Sequence, residues 1–303
     1  MKSTTTVSFE SPVGTDRRVP TWAAALVAGL SRDLPPVVTR DDIAERLTDE
    51  GSNRDPAVAV EELGRLGWLV ALPVRGAWAF IPPGQDEVAD PYLILRAWKA
   101  RQPDAPFMLA GSSAAWHLGY LDRAPDRQTS IWLAPGARLP DGLRPHVTLV
   151  QIAWNADSVK LLGPTTRLLM GRRLDIVSWA SGLPAFGPEA LLVQLAVRPS
   201  SFLPWADLIA HLGQLVEDSD DDRLAGLLAG HTTSAWQRAS YMLHVAGQPE
   251  RGAQMLARRP KQSMPKIRFE HPAINRPNTD IWVPEYHLVD RLIAPLQLVL
   301  GKA

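Results

Sequence analysis

Along the first third of the chain, apolar residues recur at helical spacing in three short runs and then switch to alternation. Trp22, Leu26 and Leu30 fall at i, i+4 and i+8, which predicts a helix over roughly 21–33, ended by Pro35-Pro36. Ile43, Ala44 and Leu47 predict a second helix opening at Thr39, with Asp42 three positions on as its capping partner and Gly51 as its stop. Asp55-Pro56 starts a third. There Ala59, Leu63 and Leu66 point inward, while Ala57, Glu61, Gly64 and Arg65 point outward. Leu69 to Leu72 and Ala77 to Ile81 then read as strands of a hairpin around Val74-Arg75-Gly76, closed by Pro82-Pro83-Gly84.

Three helices, with a polar turn before the third and a hairpin after it, have the order of a winged helix-turn-helix over residues 20–84, a unit whose third helix fits a DNA major groove. Ser52, Asn53 and Arg54 stand where that helix begins, so Asn53 or Arg54 is placed to read a base edge. Thr39 and Arg40 at the start of helix two suit a phosphate, Arg65 lies on the outward face of helix three, and Arg75 at the hairpin tip suits backbone or minor groove. Residues 1–19 lack a hydrophobic period and read as a flexible arm ending in Arg17 and Arg18, a second route to phosphates. The same fold also serves as a platform for protein partners.

The acidic, proline-flanked stretch 85–91 reads as a linker, and residues 92–303 as a mixed α+β domain with a helical latter half. Ser112 to Gly119 has the pattern of a short helix, and Thr129 to Leu133, Val147 to Trp154 and Leu174 to Trp179 that of strands. Helices are expected at Glu189 to Val197, Trp205 to Val216, Asp221 to Ala229 and Ser234 to Ala246. A strand near Ile281 to Val283 and a C-terminal helix from about Glu285 follow.

Charge narrows the picture. Lys plus Arg equals Asp plus Glu at 32 each, so no global field draws the chain to nucleic acid, and any contact must be local. From Arg17 to Gly84 eight arginines face nine carboxylates, which predicts weak, salt-sensitive non-specific binding. The most basic segment is 250–276, where Arg258, Arg259, Lys261, Lys266 and Arg268 form a candidate patch for a partner or nucleic acid, or a surface loop that balances acidic segments elsewhere. Only six of the 32 basic residues are lysine, in keeping with a GC-rich genome.

With no cysteine, thiol chemistry, disulfides and cysteine-held zinc are excluded. The histidines are scattered with no metal-binding pair, no phosphate loop or serine elbow is present, and neither a metal nor a cofactor is expected. Asp175 alone would have to carry a nuclease reading, without the companion residues such a site needs. A non-enzymatic protein follows. The opening residues lack a secretory pattern and no apolar run approaches a membrane span, so a soluble cytoplasmic location is expected.

Thr39-Arg40-Asp41-Asp42-Ile43 at the second helix and Arg75-Gly76-Ala77-Trp78 at the wing resemble the AbiE-type abortive-infection (type IV toxin-antitoxin) antitoxins, in particular their mycobacterial relatives. Ser112-Ser113-Ala114-Ala115-Trp116-His117-Leu118-Gly119-Tyr120, Ile131-Trp132-Leu133-Ala134-Pro135-Gly136 and Glu189-Ala190-Leu191-Leu192-Val193-Gln194-Leu195 are similar to segments of the second domain of that family. The resemblance implies an antitoxin that represses its own operon through the winged domain and counters a co-encoded nucleotidyltransferase-like toxin. The alternative is a winged-helix transcriptional repressor with no toxin partner.

Overall fold

Two compact units divide the chain: residues 1–106 with 126–129 and 135–147, and residues 107–125, 130–134 and 148–303. The computed structural model describes residues 9–10, 17–88, 90–124, 128–154, 162, 183–272 and 280–300. The strand expected at Leu174 to Trp179, Asp175 and the end of the basic segment at Arg276 lie outside the described residues.

In the first unit, strand β1 (Phe9–Glu10) precedes a 3-10 turn at Thr21–Ala23 and helix α1 (Ala24–Asp33). Strand β2 (Val38–Thr39) leads directly into helix α2 (Arg40–Asp49). Thr39 caps α2 as expected: its Oγ accepts the Asp42 N–H at 3.2 Å, and its own N–H donates to the Asp42 carboxylate at 2.7 Å. Such a reciprocal pair satisfies donors that the first helical turn leaves open. Helix α3 (Pro56–Arg65) is capped by Asp55, whose carboxylate accepts the Ala57 N–H at 2.6 Å.

Both helices end alike. Gly51 and Gly67 adopt φ of 67° and 78°, which lets Ser52 N–H reach Leu47 O at 2.8 Å and Trp68 N–H reach Leu63 O at 2.9 Å. Only glycine takes that left-handed turn without strain, so these two residues set where α2 and α3 stop.

Strands β3 (Leu69–Ala71) and β4 (Ala77–Phe80) form the hairpin, and the sheet runs β2-β4-β3 with Val38 opposite Trp78 and Leu69 opposite Phe80. Leu26, Leu30, Ile43, Leu47, Leu63, Trp68 and Phe80 fill one core, with Trp68 and Phe80 stacked at 6.3 Å. Most of the periodic positions that predict the helices are buried here, with Trp22 and Leu66 partly buried against the same core.

The stretch expected as a linker holds strand β5 (Glu87–Val88), which pairs antiparallel with β1. Helix α4 (Leu93–Arg101), not predicted from the sequence, also stays with the first unit. It is seated by Asp90, whose carboxylate accepts from the Tyr92 N–H at 2.8 Å and the Arg96 Nε at 2.7 Å, both partners being buried. Breaking so enclosed a pair would strand a charge, a change that costs about 3–5 kcal/mol.

The second unit opens with β6 (Phe107–Leu109), α5 (Gly111–His117), β7 (Thr129–Leu133) and β8 (Val147–Leu149), in a sheet ordered β6-β7-β8. Its centre is α6 (Pro188–Val197), buried nearly all round, against which other helices pack. Polar side chains on so enclosed a helix need partners: Gln194 Oε1 accepts the Gly111 N–H at 2.9 Å and Glu189 accepts the Asp220 N–H at 2.9 Å.

Helices α7 (Trp205–Ile209), α8 (Leu212–Glu217), α9 (Asp221–Leu228), α10 (Thr233–Val245) and α11 (Pro249–Ala257) follow. The single helix expected over Trp205 to Val216 is therefore two. A small sheet, β10-β11-β9, joins β9 (Ile267–Phe269), β10 (Ile281–Val283) and β11 (Leu288–Asp290). The C-terminal helix, α12 (Ile293–Leu300), begins later than the Glu285 expected. Pro284–Tyr286 forms only a 3-10 turn, His287 turns left-handed at φ 48°, and Leu288–Asp290 is drawn into the sheet. Asp290 then caps α12, accepting from the Leu292, Ile293 and Ala294 N–H groups and from the Tyr241 hydroxyl. Among the described residues no helix is long and apolar enough to cross a membrane.

Candidate nucleic-acid interface

The turn before α3, the start of α2 and the tip of the β3–β4 hairpin carry most of the side chains expected to face DNA. Arg40 opens α2 and is exposed, Asn53 is exposed in the turn, and Arg65 is exposed at the last turn of α3. Arg75 is exposed at the hairpin tip, where Gly76 takes φ 77°. Arg18 is exposed as well, though its carbonyl is held by the Trp68 indole N–H at 3.0 Å. The outward face of α3 is otherwise small, apolar or acidic: Ala57, Val58 and Glu61.

Three of the expected residues are engaged within the fold. Thr39 is buried and its hydroxyl, the cap of α2, also donates to Asp42 at 2.7 Å, so it is spent on the helix rather than free for a phosphate. Arg17 does not wave on an arm. Its guanidinium donates to Gly67 O at 3.0 Å and to Pro82 O and Gln85 O at 2.6 Å each, with the Trp68 ring 4.6 Å away, and burial holds its pKa below the ordinary value. The chain around residue 17 is thereby stapled to the end of α3 and to the segment after β4.

Arg54, the expected base reader, lies over the Trp22 ring at 3.9 Å and pairs with Glu62 at 2.6 Å, while the Trp22 indole N–H donates to the other Glu62 oxygen at 3.2 Å. A planar cation sandwiched by a ring and a carboxylate has a fixed orientation. Arg54 thus fastens the turn that presents Asn53. Ser52 is half-buried, and its hydroxyl accepts the Arg54 N–H at 3.4 Å.

One cation at this face is absent from the sequence reading. Arg101, at the end of α4, lies beside the hairpin tip, 3.5 Å from where a Gly76 Cβ would stand, and reaches Asp41 of α2 at 3.5 Å. The run Leu93-Ile94-Leu95, with Ala97 and Trp98, carried a helical signal that its place after a proline-rich stretch concealed. At the β3–β4 hairpin, Asp141–His146 approaches so closely that a Cβ on Gly142 would overlap the Pro73 carbonyl oxygen.

In the second unit the basic segment is built into secondary structure. Arg258, just past α11, pairs with Asp222 at 2.7 Å, and Arg259 donates to Leu256 O at 3.0 Å. Lys261 is exposed, Lys266 lies 4.9 Å above the Trp282 ring, and Arg268 is exposed on β9. These five residues do not form one contiguous face: Arg258 neutralises the acidic start of α9, whereas Lys266 and Arg268 belong to the small sheet. Among the described residues no group of three or more acidic or histidine side chains could hold a metal ion.

Residues 105–245 match the model of the AbiEi antitoxin C-terminal domain family. Over these residues the chain belongs to the AbiEi antitoxin family. As an antitoxin it is of a regulatory kind, and the domain is that of toxin-antitoxin systems. The matched span holds α5, β7 and α6, the elements whose residues resemble the family in sequence, and it includes the Gln194 to Gly111 hydrogen bond that ties α6 to α5. The antitoxin is also similar to a solved structure, "Crystal structure of RV2827C protein from Mycobacterium tuberculosis", at 57% identity over 97% of this chain and 100% of that one, with a TM-score of 0.83. No curated protein matches the antitoxin.

Proposed function

We propose that this antitoxin represses its own operon by binding operator DNA in the cytoplasm, and that it counters a co-encoded nucleotidyltransferase-like toxin through its second unit. Residues 20–84 are the reader, a winged helix-turn-helix with α3 as the recognition helix and the β3–β4 hairpin as the wing. The observation that carries this reading is the order α1-β2-α2-α3-β3-β4, closed by the strand order β2-β4-β3, with exposed cations at the start of α2 and at the hairpin tip. A chain with that arrangement ahead of an antitoxin domain has both a means of regulation and a reason for it.

The roles follow from what is free. Asn53 reads a base edge, bidentate geometry making adenine its natural target. Arg40, Arg65 and Arg75 take phosphates, with Arg75 approaching from the wing, and Arg18 adds a contact from the preceding segment. Arg54 holds the turn. Arg17 and Thr39 hold the backbone from which these contacts are made.

The test uses the DNA upstream of the gene in a fluorescence-anisotropy titration. Arg40→Ala with Arg75→Ala should weaken binding at least tenfold, and Asn53→Ala should erase the preference for the operator over scrambled duplex. Unchanged affinity in both variants overturns the assignment. For the second half, induction of the neighbouring nucleotidyltransferase-like gene should arrest growth, and co-expression of this chain should restore it. Arg40→Ala with Arg75→Ala should lose repression and keep rescue.

A further inference from the structure

A cleft opens in the second unit. Its volume is about 1070 Å³, just above the range of small-molecule sites, which run from roughly 300 to 1,000 Å³. It is lined by the end of α6 and the following 3-10 turn (Val197 to Ser201), by Arg238 of α10, and by β9 and its flanks (Lys266, Arg268, Glu270). Four cations, Arg198, Arg238, Lys266 and Arg268, thus face two carboxylates, Glu270 and Asp280.

The two carboxylates are already taken. Arg291 grips Asp280 through Nε at 2.6 Å and Nη2 at 2.7 Å, and reaches Glu270 at 3.2 Å. None of the four lining cations has a carboxylate within ion-pair distance among the described residues. Arg238 is the most telling of them. Half-buried, it donates Nε and Nη2 to the Arg268 carbonyl at 3.2 and 3.1 Å and Nη1 to the Ala196 carbonyl at 3.0 Å, so its orientation is fixed by carbonyls, with Glu270 acting on its charge only from beyond ion-pair distance. Burial depresses its pKa, the mark of a cation set in a place that disfavours it. Two N–H donors of the five on a guanidinium remain unused there. Ser200 adds an exposed hydroxyl at the rim.

We propose that this cleft binds a di- or triphosphate group, either inorganic or on a nucleotide, with Arg238 as its fixed anchor and Arg198, Lys266 and Arg268 as the closing cations. A preoriented guanidinium with rotatable cations around it suits phosphate oxygens, since a di- or triphosphate packs several negative charges onto adjacent groups, the terminal phosphate carrying about −1.5 to −2 near neutral pH. An open concave site lined by α6 and its turn, α10 and the β9 strand suits a small molecule better than the ridge of a duplex. Lys266 also lies above the exposed Trp282 ring, so a nucleoside extending past that lysine meets an indole on which to stack. The inference does not rest on the operator reading, since it uses none of the residues placed at DNA.

The experiment is isothermal titration of the full chain at low salt with sodium tripolyphosphate and, separately, with ATP. Sub-millimolar binding of either is expected. Lys266→Glu with Arg268→Glu should weaken it at least about tenfold, the scale of lost hydrogen bonds to charged groups. Arg198→Glu alone, at an exposed position, should weaken it too, and keeps the test valid if the double variant fails to fold. Lys261→Glu with Arg123→Glu, a charge-matched pair on the same unit outside the cleft, should leave binding unchanged. Tighter binding of ATP than of tripolyphosphate, lost in Trp282→Ala, assigns the source to a nucleotide; equal binding assigns it to the phosphates alone. No binding of either probe, or equal losses in cleft and control variants, overturns the proposal.

Discussion

Replacing Arg54 by alanine should lower the stability of the first unit by about 1–2 kcal/mol, and the sum can be worked from its contacts. The Arg54 and Glu62 side chains keep 31% and 27% of their exposure, so their ion pair belongs with half-solvated pairs and contributes no more than about 1 kcal/mol. The guanidinium over Trp22 at 3.9 Å adds about 0.5–1 kcal/mol. Glu62 keeps its hydrogen bond from the Trp22 indole, so no buried charge is stranded and the loss stops there. Urea unfolding followed by tryptophan fluorescence reads the change, and a double-mutant cycle with Glu62→Ala should return a coupling of about 0.5–1 kcal/mol. In 1 M salt the ionic part fades, because the screening length drops to about 3 Å, while the stacking part persists.

The same variant separates a clamp from a DNA contact. A lost phosphate contact reduces the slope of log K against log salt by about 0.9, so Arg75→Ala should flatten it by that amount. Arg54→Ala should leave the slope as it is and weaken operator and scrambled DNA unequally, since what loosens is the turn holding Asn53. The reasoning is refuted if Arg54→Ala unfolds at the wild-type urea concentration, or if it flattens the salt slope as much as Arg75→Ala does.

Three further outcomes are expected. Gly142→Ala places a Cβ onto the Pro73 carbonyl oxygen and should destabilise the first unit by about 1–3 kcal/mol in urea melts, since a backbone atom cannot give way as a side-chain tip can. His231 is set edge-on to Trp154 at 5.3 Å with its Nε2 buried, and burial lowers its pKa. The unfolded chain therefore binds the proton more readily, so stability should fall as pH drops through 6.5 toward the folded value, and His231→Leu should remove that part of the slope. Arg251 donates to Asp221 at 2.6 Å, Val216 O at 2.6 Å, Ser219 O at 2.5 Å and Gln248 at 3.0 Å, and Arg251→Lys, which loses the fork, should cost about 1–3 kcal/mol by urea unfolding.

Local signals carried well in the first unit because each came with its own punctuation. The Thr39–Asp42 pair, Asp55-Pro56, Gly51 and the alternation of Ala77 to Phe80 each mark an end or a period, and the structure uses all of them. What escaped depends on distance. Helix α4 is held by Asp90 and Arg96, a pair that periodicity cannot register, and β11 exists only because β9 and β10 flank it. The break between α7 and α8 lies in a run whose apolar spacing continues through it. The candidate site shows the same division. Exposure of Arg40, Arg65 and Arg75 could be read from a helix face and a turn. The engagement of Arg17 needed carbonyls fifty and more positions away, and Arg238 and Arg198 of the cleft had no motif to announce them.

The arginine excess, which composition alone leaves to codon usage, has a structural side. Arg17, Arg238 and Arg251 each bind two or more backbone carbonyls, most of them at helix ends and turns, where the last carbonyls of a helix lack partners, and one, Arg268 O, on strand β9. A lysine has a point charge with three rotatable donors and cannot bridge such sites, whereas a planar fork spans them in one orientation. Arg54 does the corresponding work with a ring and a carboxylate. Counting arginines therefore overstates the cations available for a ligand. In the first unit the usable set shrinks to the exposed ones, and in the second the excess gathers where Arg291 has already consumed the acids. Charge that is free, rather than charge that is present, is what a polyanion meets.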